Sequence, residues 1–171
     1  TLTVAELARR TRAIARGLYA LIGDDPNAKV AILSENSLES ALSDLACLSN
    51  GLLDFPLPAN AVAEQIVFML KHSGARVLLV SDDEQVAKVL PGLADLPELK
   101  AIVSFSPSTA ERHGLLSLDQ MIGQGGGAFD DALRAERAAT VRSKDPATVM
   151  YTSGTTGRPK GIIFTHENVV S

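Results

Sequence analysis

Ala147-Thr-Val-Met-Tyr-Thr-Ser-Gly-Thr-Thr-Gly-Arg-Pro-Lys-Gly-Ile-Ile-Phe-Thr165 reads as a strand, a glycine-rich loop and a second strand. The apolar run Ala147-Thr-Val-Met-Tyr151 leads in. Ile162-Ile163-Phe164-Thr165 leads out, and its β-branched and aromatic side chains suit a pleated, half-buried surface. Between them, over 151–161, glycines, hydroxyls and one lysine crowd together. Gly154, Gly157 and Gly161 leave room for backbone N–H groups to approach an anion. Thr152, Ser153, Thr155 and Thr156 add hydroxyl donors. Lys160 adds a mobile point charge, and Pro159 fixes the backbone beside it. The expectation is a clamp for nucleotide phosphates.

A Walker loop is excluded. There the lysine follows a glycine, precedes Ser or Thr, and opens a helix. Here Lys160 lies between Pro159 and Gly161 and a strand follows. No helix N-terminus is offered to the phosphates, so binding rests on amides, hydroxyls and the lysine.

Upstream, helix and strand patterns alternate. Thr3 and Glu6 form a capping-box pattern before a first helix. Val4, Leu7, Thr11, Ile14, Leu18 and Leu21 lie on one side of it, with Arg9, Arg12 and Arg16 opposite on a solvated face. Strands are expected at 29–33, 52–55, 75–80 and 100–105, and helices at 37–49 and 61–72. Ser81 and Glu84 suggest a second capping box for a helix through Leu90, ended by Pro91-Gly92. This alternation implies βαβ units and a parallel sheet. The region 106–144 reads as less regular and flexible, with a short helix starting at Ser117-Leu-Asp-Gln120, a linker at Gly125-Gly126-Gly127, and a charged helix over 130–139.

Tyr151 to Gly161 resembles the phosphate-binding loop of the adenylate-forming (AMP-binding) enzymes: acyl-CoA synthetases, peptide-synthetase adenylation domains and luciferases. Thr165-His166-Glu167-Asn168 resembles the Thr-His-x-Asn that trails this loop in the family. More weakly, Thr1-Leu-Thr-Val-Ala-Glu-Leu7, the segment from Cys47 to Pro58, Glu64-Gln65 and Lys71-His-Ser-Gly-Ala-Arg-Val77 resemble earlier family segments. Where many members have Gly-Ala-x-x-Val-Pro, this chain has Gly51-Leu-Leu-Asp-Phe-Pro56. Gly154-Thr155-Thr156-Gly157 is more similar to acyl-CoA synthetases than to peptide synthetases. The run Asp145 to Gly154 is most similar to long-chain fatty acid–CoA ligases.

The resemblance implies an α/β layered domain with a mainly parallel β-sheet flanked by helices, residues 1–171 forming the first part of a larger adenylation domain. It implies ATP, Mg²⁺ and coenzyme A as cofactors and a small-molecule carboxylate as partner. The parent would be an acid–thiol ligase forming an acyl-adenylate and then an acyl-CoA thioester. Thr152 to Lys160 would grip the β- and γ-phosphates. No catalytic residue falls within the chain, because the family's carboxylate-contacting lysine and its Mg²⁺-ligating glutamate lie further downstream. The chain alone is therefore expected to be inactive.

Other readings stay open: a peptide-synthetase-type domain, a non-catalytic binding or scaffold module, or a phosphotransferase. His166 either faces a substrate pocket or caps the helix beginning at Glu167. His72 and His113 read as surface histidines, and Asp82-Asp83 as helix N-terminal charge rather than a metal site.

Composition narrows the partners. A net charge of −4 argues against nucleic acid, whose phosphates call for a basic excess. The single cysteine, Cys47, has no internal disulfide partner and falls in an apolar helix pattern, consistent with a buried thiol in a reducing, cytoplasmic setting. No apolar run approaches the roughly 20 residues that span a bilayer, although peripheral membrane association of the parent is compatible with the sequence. The chain lacks an initiator Met and reads as an excised segment, so uncovered apolar surface and self-association are expected.

Overall fold

A computed structural model describes all residues except 1, 24, 26, 27, 126–130 and 154–158, and the side chains of 131–135 and 153 are likewise left undescribed. The elements run α1 (Val4–Ile22), β1 (Lys29–Leu33), α2 (Leu38–Leu48), β2 (Leu53–Leu57), α3 (Ala63–Ser73), β3 (Val77–Val80) and α4 (Asp83–Val89). A 3-10 helix (Leu90–Asp95), β4 (Ala101–Ser104), α5 (Pro107–His113), β5 (Leu116–Ser117), α6 (Leu118–Gln124) and α7 (Asp131–Thr140) follow. The last elements are β6 (Pro146–Ser153), β7 (Pro159–Thr165) and α8 (His166–Val170).

Seven strands form one sheet in the order β5-β4-β3-β1-β2-β6-β7. Every neighbouring pair is parallel except β6 and β7, which form an antiparallel hairpin. The expected mainly parallel sheet is thus what forms. All four residues of Val77-Leu-Leu-Val80 are buried, as a strand covered on both faces requires.

Alternation along the strands divides the core in two. Val30, Ile32, Val77 and Leu79 meet Ile14 and Leu18 of α1, Leu42 and Cys47 of α2, and Met121 of α6. Ala31, Leu33, Leu78 and Val80 meet Ile66, Met69 and Leu70 of α3 and Val86 and Val89 of α4. The result is an α/β/α sandwich with helices on both faces of the sheet.

Several local expectations need correction. Thr3 caps α1 by accepting from the Glu6 N–H, but the Glu6 carboxylate turns to Arg9 and Arg10 instead of completing a box. Val4, placed on the apolar face by periodicity, is 84% exposed. The cap of α4 is Asp82, which accepts from the Gln85 N–H at 3.1 Å, not Ser81 with Glu84. Pro91-Gly92 does not end the chain's helical path, which continues as the 3-10 helix through Asp95. Proline at the second position is compatible with that tighter turn, where its missing N–H is not needed.

The region 106–144 carries α5, β5, α6 and α7. Ser117 and Gln120 form a full reciprocal capping box on α6. Gly125 caps the end of α6 rather than acting as a linker; a Cβ there would lie 2.7 Å from Gly17 N. Gly126 and Gly127 fall outside the described residues.

Candidate phosphate-binding hairpin

β6 and β7 leave the sheet at its carboxyl edge, where parallel sheets place their ligand sites. Their register sets Tyr151 opposite Gly161, Thr152 opposite Lys160, and Ser153 opposite Pro159. Thr152 and Lys160, both exposed, therefore share one face of the hairpin, with Cβ atoms about 4.5–5.5 Å apart by the geometry of such pairs. The alternate residues Tyr151 and Gly161 lie on the opposite face. Gly154, Thr155, Thr156 and Gly157, expected to complete the clamp, lie outside the described residues, as does the Ser153 side chain. The described part of the site is thus a threonine and a lysine paired across the two strands at the mouth of the loop. Lys160 makes no ion pair with another described residue.

Two polar contacts between the hairpin and the rest of the fold join residues far apart in sequence. The first is Tyr151. Its hydroxyl lies 3.0 Å from His72 Nδ1 and donates to the Met69 carbonyl at 3.4 Å, both near the end of α3. His72 is exposed, as expected of a surface histidine, and it stacks on Phe68 and meets the Tyr151 ring edge-on. Burial pushes the Tyr151 hydroxyl above its ordinary pKa, so it keeps its proton at neutral pH.

The second contact is Asp54 on β2, fully buried and in register with Thr148 on β6. Asp44 on α2 and Thr148 lie alongside, yet neither carboxyl oxygen of Asp54 nor Thr148 Oγ1 makes a hydrogen bond of normal geometry. Desolvation, reinforced by Asp44, pushes the Asp54 carboxyl up to about 8. A charged residue inside Leu53-Asp-Phe-Pro-Leu57 was the available sequence signal. The buried Cys47 thiol is held in its protonated form by desolvation and by Asp54 and Asp44.

His166 is the first residue of α8, but Thr165 performs the cap, with its N–H and hydroxyl both reaching Asn168 Oδ1. The His166 N–H donates to the Asp145 carbonyl at 3.1 Å. Its side chain borders an apolar groove of about 380 Å³ between α2 and α8, with Leu45, Leu48, Val169 and Val170. His113, read as a loop residue, ends α5 and lies 2.9 Å from Asp83. Asp83 sits in the first turn of α4, in keeping with N-terminal charge. Among the described residues no group of three or more His, Cys, Asp or Glu gathers in a metal-binding arrangement.

An open groove of about 480 Å³ runs between α3 and the 3-10 helix, lined by Val67, Phe68, Lys71 and Lys88. Among the described residues no helix is long and apolar enough to cross a membrane.

A doubly wound α/β sandwich with a glycine-rich strand–loop–strand at its carboxyl edge is the class these features define. The AMP-binding enzyme family matches the chain across residues 1–171, and the chain belongs to that family. It is 37% identical over 168 residues to the long-chain-fatty-acid–CoA ligase FadD15 of Mycobacterium tuberculosis, covering 98% of this chain and 27% of that protein. It is 31% identical over 170 residues to surfactin synthase subunit 1 of Bacillus subtilis, covering 99% of this chain and 4% of that protein. In fold it is similar to a benzoate CoA ligase from Burkholderia xenovorans LB400, with a TM-score of 0.77 at 23% identity, over 99% of this chain and 30% of that one. The chain spans about a quarter of the length of the fatty-acid ligases it matches.

Proposed function

We propose that this chain is the amino-terminal part of the adenylation domain of an ATP-dependent carboxylate–CoA ligase acting on a fatty acid, and that its hairpin holds the ATP phosphates. The observation that carries the reading is the pairing of Thr152 with Lys160 at the mouth of a loop built from Gly, Ser and Thr, within a chain of the AMP-binding family. An exposed lysine paired across the strands with an exposed threonine fits the oxygens of a polyphosphate.

In the reaction a carboxylate oxygen attacks the α-phosphorus, the bond to the bridging oxygen breaks, and pyrophosphate leaves. A thiol then attacks the acyl carbon and AMP departs. Charge builds on the leaving pyrophosphate, and fixed donors aimed at it lower the barrier. Lys160, Thr152 and the loop amides serve that purpose by gripping the β- and γ-phosphates. Mg²⁺ would share the phosphate charge, held by phosphate oxygens and by groups other than a preformed cluster of described carboxylates.

The isolated chain is read as inactive, because the grip alone does not place a carboxylate in line with the α-phosphorus, and positioning contributes about 7–11 kcal/mol. A cytoplasmic setting accords with the buried thiol of Cys47. Self-association of the chain follows from the exposed Met150, Ile162, Ile163 and Val170 on and beside the edge strand β7.

Calorimetric titration of MgATP into the chain and into Lys160→Ala tests the phosphate grip. Binding that weakens in the variant supports it, and equal binding by both sinks it. Carboxylate-dependent pyrophosphate exchange by the purified chain would overturn the inactivity. The likeness to surfactin synthase subunit 1 supports a second reading, a peptide-synthetase-type domain whose carboxylate is an amino acid. Exchange by the longer parent with amino acids but not with fatty acids would favour it.

A further inference from the structure

Tyr151 occupies a singular place in the hairpin. It is the last residue before the hydroxyl-rich loop and faces away from Thr152 and Lys160, toward the end of α3. Across the hairpin it meets Gly161, the residue after Lys160. A Cβ on Gly161 would sit in ordinary contact with the Tyr151 ring at 3.5 Å and crowd Val149 Cγ1 at 3.0 Å, so the strand backbone lies close against both. Behind the ring, Phe55 of β2 lies with its centroid 6.4 Å away. A continuous set of contacts therefore runs from α3 through His72 and Tyr151 to the backbone that carries Lys160.

Two hydrogen bonds meet at this junction. The Tyr151 hydroxyl reaches the Met69 carbonyl, which can only accept, at 3.4 Å. The shorter contact, 3.0 Å to His72 Nδ1, forms with either group as donor, according to the imidazole tautomer. Stacking on Phe68 fixes the plane of the imidazole, and the edge-on contact fixes its approach to Tyr151.

We propose that His72 is a positioning residue for the phosphate grip: through Tyr151 it fixes the hairpin so that Thr152 and Lys160 are held ready for the phosphates before ATP arrives. This rests on the reading of the hairpin as the phosphate site. Preorganisation of this kind raises affinity by sparing the cost of ordering the loop's flanks on binding.

The test is MgATP titration into the wild-type chain, His72→Ala, Tyr151→Phe, His72→Asn and Lys160→Ala, with amide exchange followed across 149–152 and 160–163. Loss of one hydrogen bond of this type predicts a roughly two- to tenfold weaker affinity in His72→Ala and Tyr151→Phe. Exchange should quicken in the hairpin of both variants and stay unchanged in β1 and β3. His72→Asn, whose amide can donate or accept near the place of Nδ1, should recover most of the affinity; a merely space-filling histidine would not be rescued this way. Wild-type affinity in both His72→Ala and Tyr151→Phe overturns the proposal, whether or not exchange changes. Full affinity in Lys160→Ala, or no binding by the wild type, overturns the phosphate reading itself and the positioning role with it.

Discussion

Asp54 of β2 and Thr148 of β6 stand directly opposite one another, and theirs is the register pair that joins the β6–β7 hairpin to the parallel sheet. Both side chains are buried, and no hydrogen bond of normal geometry satisfies Asp54 Oδ1, Asp54 Oδ2 or Thr148 Oγ1. Ionising Asp54 would place a charge between β2 and β6 with Asp44 and the Cys47 thiol as its titratable neighbours. The carboxyl avoids this by staying protonated to about pH 8.

The pH dependence of stability follows in sign. The folded state holds the Asp54 proton up to about 8, whereas the unfolded chain releases it near the ordinary carboxyl value of 3.8. Between those values the folded state binds more protons, so stability falls as pH rises, by at most about 1.4 kcal/mol per pH unit for one group. Urea unfolding at pH 5.5, 6.5, 7.5 and 8.5 should show the decline in the wild type. Asp54→Asn, which has no proton to release, should flatten it. An identical slope in both proteins would mean that Asp54 ionises in the fold without cost.

α1 and α6 cross with their backbones almost touching. A Cβ on Gly17 would lie 2.8 Å from the Met121 carbonyl oxygen, and one on Gly125 2.6 Å from the Arg16 carbonyl carbon. Backbone cannot swing aside as a side chain can, so Gly17→Ala and Gly125→Ala should each destabilise by about 1–3 kcal/mol, even though alanine favours the helical state of residue 17. Gly123, within α6, has open space at its Cβ position. Gly123→Ala should therefore leave stability unchanged or raise it by up to about 1 kcal/mol. Denaturant midpoints of the three variants decide, and a stabilised Gly17→Ala would show that the helices separate readily.

Much of this arrangement was legible in the sequence where the signal was local. Val77-Leu-Leu-Val80 fell within an expected strand, and the β-branched run after Gly161 marked a strand in place of a helix. Other features are settled by geometry that residue type does not encode. Ser81 and Asp82 are both good caps, and only the backbone turn decided that Asp82 reaches the Gln85 N–H. His72 and Tyr151 are 79 residues apart, so no window of sequence joins them. Asp54 read as one polar residue in a short strand, and its meaning appeared only when β6 packed beside it.

Asp83 links α4 to α5 through His113 at 2.9 Å and through Arg112. Desolvation opposes ionisation here, but the hydrogen bonds from His113 and Arg112 prevail and hold the carboxyl below its ordinary value. The stability from this lowered pKa is present above the ordinary carboxylate range and lost as pH falls through the folded value. NMR titration should give Asp83 a midpoint below the usual one in the wild type, moving upward in Arg112→Ala and in His113→Ala. An unmoved midpoint in both would show that the cluster does not persist in solution.

Lys160 offers the sharpest separation of charge from shape. It pairs across the hairpin with Thr152 on the exposed face, and on the proposed reading its ammonium would give the phosphates a charge-assisted hydrogen bond there. Removing such a bond costs about 1.5–3 kcal/mol, which is a tenfold or greater loss of MgATP affinity in Lys160→Ala. Arginine keeps the charge but brings a planar, broader group to a place flanked by Pro159 and Gly161. Lys160→Arg should hold an intermediate affinity. Salt provides the control: wild-type binding should weaken as ionic strength rises, and Lys160→Ala should respond less steeply, because one phosphate-facing charge is gone. If both proteins lose affinity in parallel, the ammonium is not at the phosphates, and the grip must come from the loop's amides and hydroxyls.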